Sequence, residues 1–175
     1  MGKLGLLLLN TALLGYSQSA DSPATLKGVL LQQMRWTHSV KGDWFVPVSV
    51  AIAGITPEQA NWKDKSGNHS IIELTSHLSF WGERNLLKLK GEQLPTFNGD
   101  NEESFRTTLT WDAAVKKLDE VLTGWEKAIE AADQAKLHKW QSTIDNIVAH
   151  EAYHTGEIVY IRREQGSWNP ESGVH

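Results

Sequence analysis

His150 and His154 stand four residues apart in a run whose apolar positions, Ile144, Ile147, Val148, Ile158 and Ile161, recur every three or four residues. That spacing is helical. An i, i+4 pair then puts both imidazoles on one stripe of the helix. A chain built this way must fold another element against two polar rings set beside an apolar face. A divalent metal is the ligand that takes two nitrogens from one rigid rod. At about 100° per residue, with His150 at zero, His154 lies near ~40°, Glu157 near ~−20° and Ile161 near ~20°. Glu151 lies near ~100° on the same count. The histidine stripe therefore includes Glu157 and leaves Glu151 on the flank. The distinction matters because His150-Glu151-Ala152-Tyr153-His154 also fits the H-E-x-x-H pattern of zinc proteases, which would give the chemistry to Glu151.

The rest of the chain also reads as helices. Leu26, Val29, Leu30 and Met34 open a first one. Gly42 and Pro47 interrupt it, and Val46, which precedes the proline, is biased away from helix. Helix 1 is therefore expected to break or kink between Lys41 and Phe45, near Pro47. It should resume through Val48, Val50 and Ile52 and end at Gly54. Thr56-Pro57-Glu58-Gln59 reads as a cap with proline at the first helical position. Ser70-Ile71-Ile72-Glu73 is a capping box that starts helix 2. Ile71, Leu74, Leu78 and Trp81 form its buried stripe, with His77 on the edge, and Gly91 stops it. Residues 92–109 form a long polar connection, and such loops often cover something. Thr110 caps helix 3, whose stripe of Val115, Leu118, Leu122, Trp125 and Ile129 holds no histidine and reads as scaffold. Residues 135–141 read as a connector, with Ser142 or Thr143 capping helix 4. Arg162 and Arg163 suit its last turn, Gly166 ends it, and the tail around Trp168 folds back. No run of alternating strands and no repeat is found. The predicted fold class is all-α: a four-helix bundle of up-down type, or a variant with one long crossover.

With 175 residues the chain is long enough for one domain with a real core. It has no cysteine, so disulfides and thiolate ligands are excluded and any metal must bind through His, carboxylate or water. The net charge of −4, with no basic stripe, weighs against nucleic acid as a partner. Residues 1–20 read as a signal peptide: Lys3, then an apolar run over Leu4 to Tyr16, then Ser17-Gln18-Ser19 as a small-x-small cleavage site. The run is too short for a stable membrane span, which needs about 20 residues. The domain would then be 21–175, exported to the periplasm or the extracellular space. If the segment is not cleaved, it is an N-terminal helix packed on a cytoplasmic domain.

His77 is the other histidine on a strong helical pattern. Three histidines would leave coordination positions open, as catalytic metal sites do. The other histidines are weaker candidates. His69 precedes a cap, His138 sits in the connector and His175 is terminal, while His38, on helix 1, could line a pocket although its local context is undistinguished.

Three stretches carry a family resemblance: Pro57 to Trp62, Ser70-Ile71-Ile72-Glu73-Leu74-Thr75-Ser76-His77-Leu78-Ser79-Phe80-Trp81, and His150-Glu151-Ala152-Tyr153-His154-Thr155-Gly156-Glu157-Ile158. They resemble the DinB/YfiT-like superfamily. The resemblance implies a four-helix bundle in which His77, His150 and His154 hold one divalent metal ion, most often zinc or nickel. Its characterised members include transferases and an isomerase that use low-molecular-weight thiols, and many others are described as metal-dependent hydrolases. A small-molecule substrate is implied, a low-molecular-weight thiol among the options, and a homodimer is compatible with the resemblance. Glu157 departs from the family pattern, which usually has Gln there. The metal would act as a Lewis acid or lower the pKa of a water or a thiol. Glu157 would orient a ligand or accept a proton, and is the candidate catalytic residue. A non-enzymatic metal-binding or small-ligand-binding module is the rival class. The zinc-protease reading competes poorly, because Glu157 stands where a metzincin has Gly, no further His follows at the required offset, and the flanking sheet is missing.

Overall fold

The structure is a computed structural model that describes residues 25–41 and 44–173. The expected signal peptide, the domain start at residue 21, Gly42 and His175 lie outside the described residues. Six α-helices follow in order: α1 (Leu26–His38), α2 (Val48–Ala51), α3 (Pro57–Asn61), α4 (Ile71–Lys90), α5 (Trp111–Ala131) and α6 (Gln134–Glu164). Two short 3₁₀ turns, Glu102–Phe105 and Pro170–Ser172, complete the secondary structure, and no strand occurs among the described residues. The four long helices make the bundle. α1 packs on α5 and α6, and so does α4, so α1 and α4 face each other across it. The segment bearing α2 and α3 is the crossover between them. No helix among the described residues is long and apolar enough to cross a membrane.

The helix ends follow from local chemistry. Glu73 accepts from the Ser70 N–H at 2.8 Å, as a capping box requires. Gly91 closes α4 at φ 76°, a left-handed conformation that costs glycine little. Thr56 and Gln59 cap α3 reciprocally. The first helix breaks where expected: α1 stops at His38, and Pro47 becomes the N-cap of the separate α2.

The core runs between the long helices through Leu30, Met34, Ile71, Leu118, Trp125, Ile129, Ile144 and Ile158, all buried. The indole N–H of Trp125 donates to the Gly82 carbonyl at 3.0 Å. α4 and α5 approach closely there, since a β-carbon on Gly82 would sit 2.8 Å from Val121 Cγ1.

Two expectations need correction. α6 begins nine residues before Thr143, with Asp133 as its N-cap accepting from Lys136 N–H at 2.8 Å. Residues 135–141 are therefore helical, because buried Leu137 and half-buried Trp140 extend the apolar period upstream of Ile144. Ser142 and Thr143 resemble caps by residue type but lie within the helix. Trp81 is half-buried instead of belonging to the core stripe, and its indole reaches the loop that follows α4. The tail does fold back: Trp168 packs on the core, with the Arg162 guanidinium 5.3 Å from its ring centroid.

Candidate metal centre

α4 and α6 lie side by side, and their polar rings meet in the seam between them. His77 comes from α4, and one turn of α6 supplies His150 and His154. His77 Nε2 lies 3.0 Å from His150 Nε2, which lies 3.0 Å from His154 Nε2. All three ligand nitrogens fall within 4.8 Å of one another, a group able to hold a metal ion. His77 and His154 are buried, while His150 is half-buried.

Glu157 sits one turn beyond His154, with its Oε2 2.5 Å from His154 Nδ1. An ionised carboxylate only accepts, so Nδ1 carries the proton and Nε2 presents a lone pair to the cluster. Burial, with the neighbouring His150, His154 and His69 adding to it, holds His77 down at about 3. Burial and then His154 hold His150 down at about 4. Both rings are therefore neutral at physiological pH, the state in which imidazole ligates a metal. Arg84, the base on α4 that could have paired with Glu157, instead donates to the Pro95 carbonyl at 2.8 Å and lies over the rings of Phe80 and Phe97. Glu157 also borders a cavity of about 240 Å³, shared with Trp62, Lys63, His69 and Tyr160.

The long connection after α4 covers this site. Its 3₁₀ turn lays the Phe105 ring parallel to His77, with centroids 3.8 Å apart. His69 stacks on the other face of Phe105 at 3.7 Å. Ser104 Oγ lies 2.6 Å from His77 Nδ1. Sequence reading missed Ser104 and Phe105, and the unusual length of the loop was their one signal. It also undervalued His69, which belongs to the stack although it points no nitrogen at the cluster.

Glu151 faces elsewhere. It is 1% exposed, and its Oε2 accepts from the Thr37 hydroxyl on α1 at 2.8 Å, while Oε1 has no partner. Burial raises its pKa to about 8, against the Thr37 hydrogen bond, which lowers it. The base that a zinc-protease mechanism needs is thus turned toward α1. In the metal-free protein the raised pKa stabilises the fold fully below the ordinary value of 4.5, and that contribution is lost as pH rises toward about 8. Compared with Glu151→Gln, the wild type should lose ~1.4 kcal/mol per pH unit across that window. Urea midpoints of the two metal-free proteins at several pH values test this, and parallel profiles would refute it.

His38 is less ordinary than its sequence context. It is buried at the end of α1, with Nδ1 2.7 Å from Glu126 Oε1 and Nε2 3.2 Å from Asp119 Oδ1. It lies in the α1–α5 seam, apart from the three converging histidines, beside a cavity of about 540 Å³. His138 is exposed on α6.

The sequence model of the DinB superfamily matches residues 48–158, which include His77, His150, His154 and Glu157. Comparison with curated proteins gives no match, and neither does comparison with solved structures.

Proposed function

The chain belongs to the DinB superfamily, and from that premise we propose that His77, His150 and His154 hold one divalent metal ion, zinc or nickel. The protein then acts on a small molecule, as a metal-dependent hydrolase or a low-molecular-weight-thiol transferase. The observation that carries this reading is the convergence of three imidazole Nε2 atoms, two of them only 3.0 Å from a third. Neutral His150 has one N–H and, in its Nε2–H form, can donate it to only one of these two neighbours, so one 3.0 Å pair of nitrogens stays without a proton between them, a gap that a cation would fill. Protonation is disfavoured by burial at His77 and His150. The donor set is all imidazole, which suits zinc, nickel, copper or iron and not the oxygen-seeking magnesium or calcium.

An ion held by His77, His150 and His154 would supply Lewis acidity. The chain's own residues supply the rest. Glu157 fixes the His154 ring and, half-exposed at the edge of the cavity, would take a proton from a molecule bound there. Phe105 shields the His77 face of the site from water.

Lys3, the apolar run to Tyr16 and Ser17-Gln18-Ser19 support export, with the mature chain starting at Ala20 or Asp21. Elemental analysis of protein purified from its native host, followed by esterase, amidase and thiol-transfer assays, tests the reading. One equivalent of zinc or nickel with metal-dependent turnover is expected. Absence of metal in freshly isolated protein would overturn it. Metal without turnover would favour the binding-module alternative. Mass spectrometry on the same sample reads the N-terminus, and an intact Met1 or Gly2 would end the export proposal.

A further inference from the structure

The hydroxyl of Ser104 has three polar neighbours. The carbonyl of Asn101 lies 2.5 Å away, the Trp81 indole N–H 3.2 Å away, and His77 Nδ1 2.6 Å away. A serine hydroxyl offers one proton and two lone pairs. The Asn101 carbonyl can only accept, so it takes the proton. The indole N–H can only donate, and it is shared between this oxygen and Asn101 Oδ1, also 3.2 Å away, so it fills at most one lone pair. One lone pair remains, and it faces His77 Nδ1. That contact is a hydrogen bond only if His77 carries its proton on Nδ1. Nε2 then has no proton and presents its lone pair toward His150 and His154.

We propose that Ser104 is a positioning residue that sets the tautomer of His77 for metal binding, with Trp81 and the Asn101 carbonyl fixing the direction of its hydroxyl. The inference rests on the metal reading above for its purpose, but the proton assignment stands without a metal. A free imidazole favours the opposite tautomer, with hydrogen on Nε2, which would aim a proton at the cluster. Ser104 removes that preference from a loop, while Glu157 does the same for His154 from within α6. Phe105 adds the ring plane: stacked between His69 and His77 with interplanar angles of 2° and 4°, it prevents the His77 ring from turning away from Ser104. Ser104 itself is buried, so water does not compete for the lone pair. Partners that orient a ligand histidine typically contribute ~10–100-fold in metal affinity.

The test has two parts. Long-range ¹H–¹⁵N correlation on the metal-free wild-type protein reads the His77 tautomer directly. The Nδ1–H form is expected. The Nε2–H form, or an equal mixture, would overturn the proposal whatever the protein binds. The second part is zinc affinity by chelator competition for Ser104→Ala, Ser104→Thr and Trp81→Phe. Ser104→Ala should weaken zinc binding by ~10–100-fold and shift His77 toward the Nε2–H form. Ser104→Thr keeps the hydroxyl and should restore both, and Trp81→Phe should fall between them. A folded Ser104→Ala protein with wild-type zinc affinity would overturn the proposal. So would Ser104→Thr behaving like Ser104→Ala. If the wild type binds no zinc but shows the Nδ1–H tautomer, the metal reading fails and the proton assignment survives.

Discussion

Replacing His77, His150 or His154 singly with alanine is expected to leave the protein nearly free of metal after brief exposure to a chelator. Each imidazole supplies one of three nitrogens, all within 4.8 Å of one another. Losing one leaves two ligands and an enlarged, wetter pocket. The affinity loss should exceed the ~10–100-fold typical of partners that only orient a ligand. Stability should follow by mass action. With free metal at a hundred times Kd, binding adds about 2.7 kcal/mol to the native state. For a chain of this size that is roughly 5–10 °C in melting temperature. Each alanine variant should melt lower by that amount in the presence of metal, and the wild type should fall to the same range when stripped. All should remain helical, because the core through Trp125, Ile129 and Ile144 does not involve the cluster. His138→Ala, an exposed change on the same helix, should keep full occupancy. His38→Ala should also keep the metal, but it should cost stability. It removes a buried ring that hydrogen-bonds Glu126, which keeps Arg35, and the exposed Asp119, at about 1.5–3 kcal/mol for a lost hydrogen bond to a charged group. Full metal occupancy in His77→Ala would show that α4 contributes no ligand.

Much of this was legible in the sequence because it is local. The capping box at Ser70 and Glu73, the stop at Gly91 and the three-to-four spacing along α5 are each decided within a few residues. The relation of Glu157 to His154 is also local, since i, i+3 neighbours on a helix meet by geometry alone. What the sequence hid is non-local or depends on competition. Ser142 and Thr143 resemble helix starts, yet buried Leu137 upstream carries the helix back to Asp133, a packing gain that no cap signal reveals. Ser104 and Phe105 reach His77 across 27 and 28 positions of chain through an irregular loop, where no periodicity marks a facing side chain. Trp81 reads as core by its period but spends its indole N–H on that loop. His38 looks ordinary until Glu126 and Asp119 are brought to its two nitrogens from another helix.

The two glutamates of the α6 motif should respond to substitution in opposite ways. Glu157 touches His154 Nδ1 at 2.5 Å, whereas Glu151 is buried against Thr37 and borders none of the three nitrogens. Glu157→Ala should lower metal affinity, or any activity found, by ~10–100-fold. The His154 ring would then be free to change tautomer and to turn. Glu157→Asp should behave similarly, because the shorter side chain falls short of Nδ1. Glu157→Gln should be milder, since its amide oxygen still accepts from Nδ1–H and orients the ring. Any activity it loses beyond its loss of metal would measure the carboxylate's work as a proton acceptor. Glu151→Gln should keep both metal and turnover, because a neutral, equally sized group replaces a carboxyl that burial already holds protonated near neutral pH. A purely structural role for Glu157 makes a different forecast: its variants would lose melting temperature with or without metal and keep their affinity once folded. Measuring zinc affinity and melting temperature on the same set of proteins therefore separates the two. If Glu151→Gln abolished activity while Glu157→Ala kept both metal and rate, the carboxylate serving the site would be the one on the flank, and the zinc-protease reading of the motif would have to be reopened.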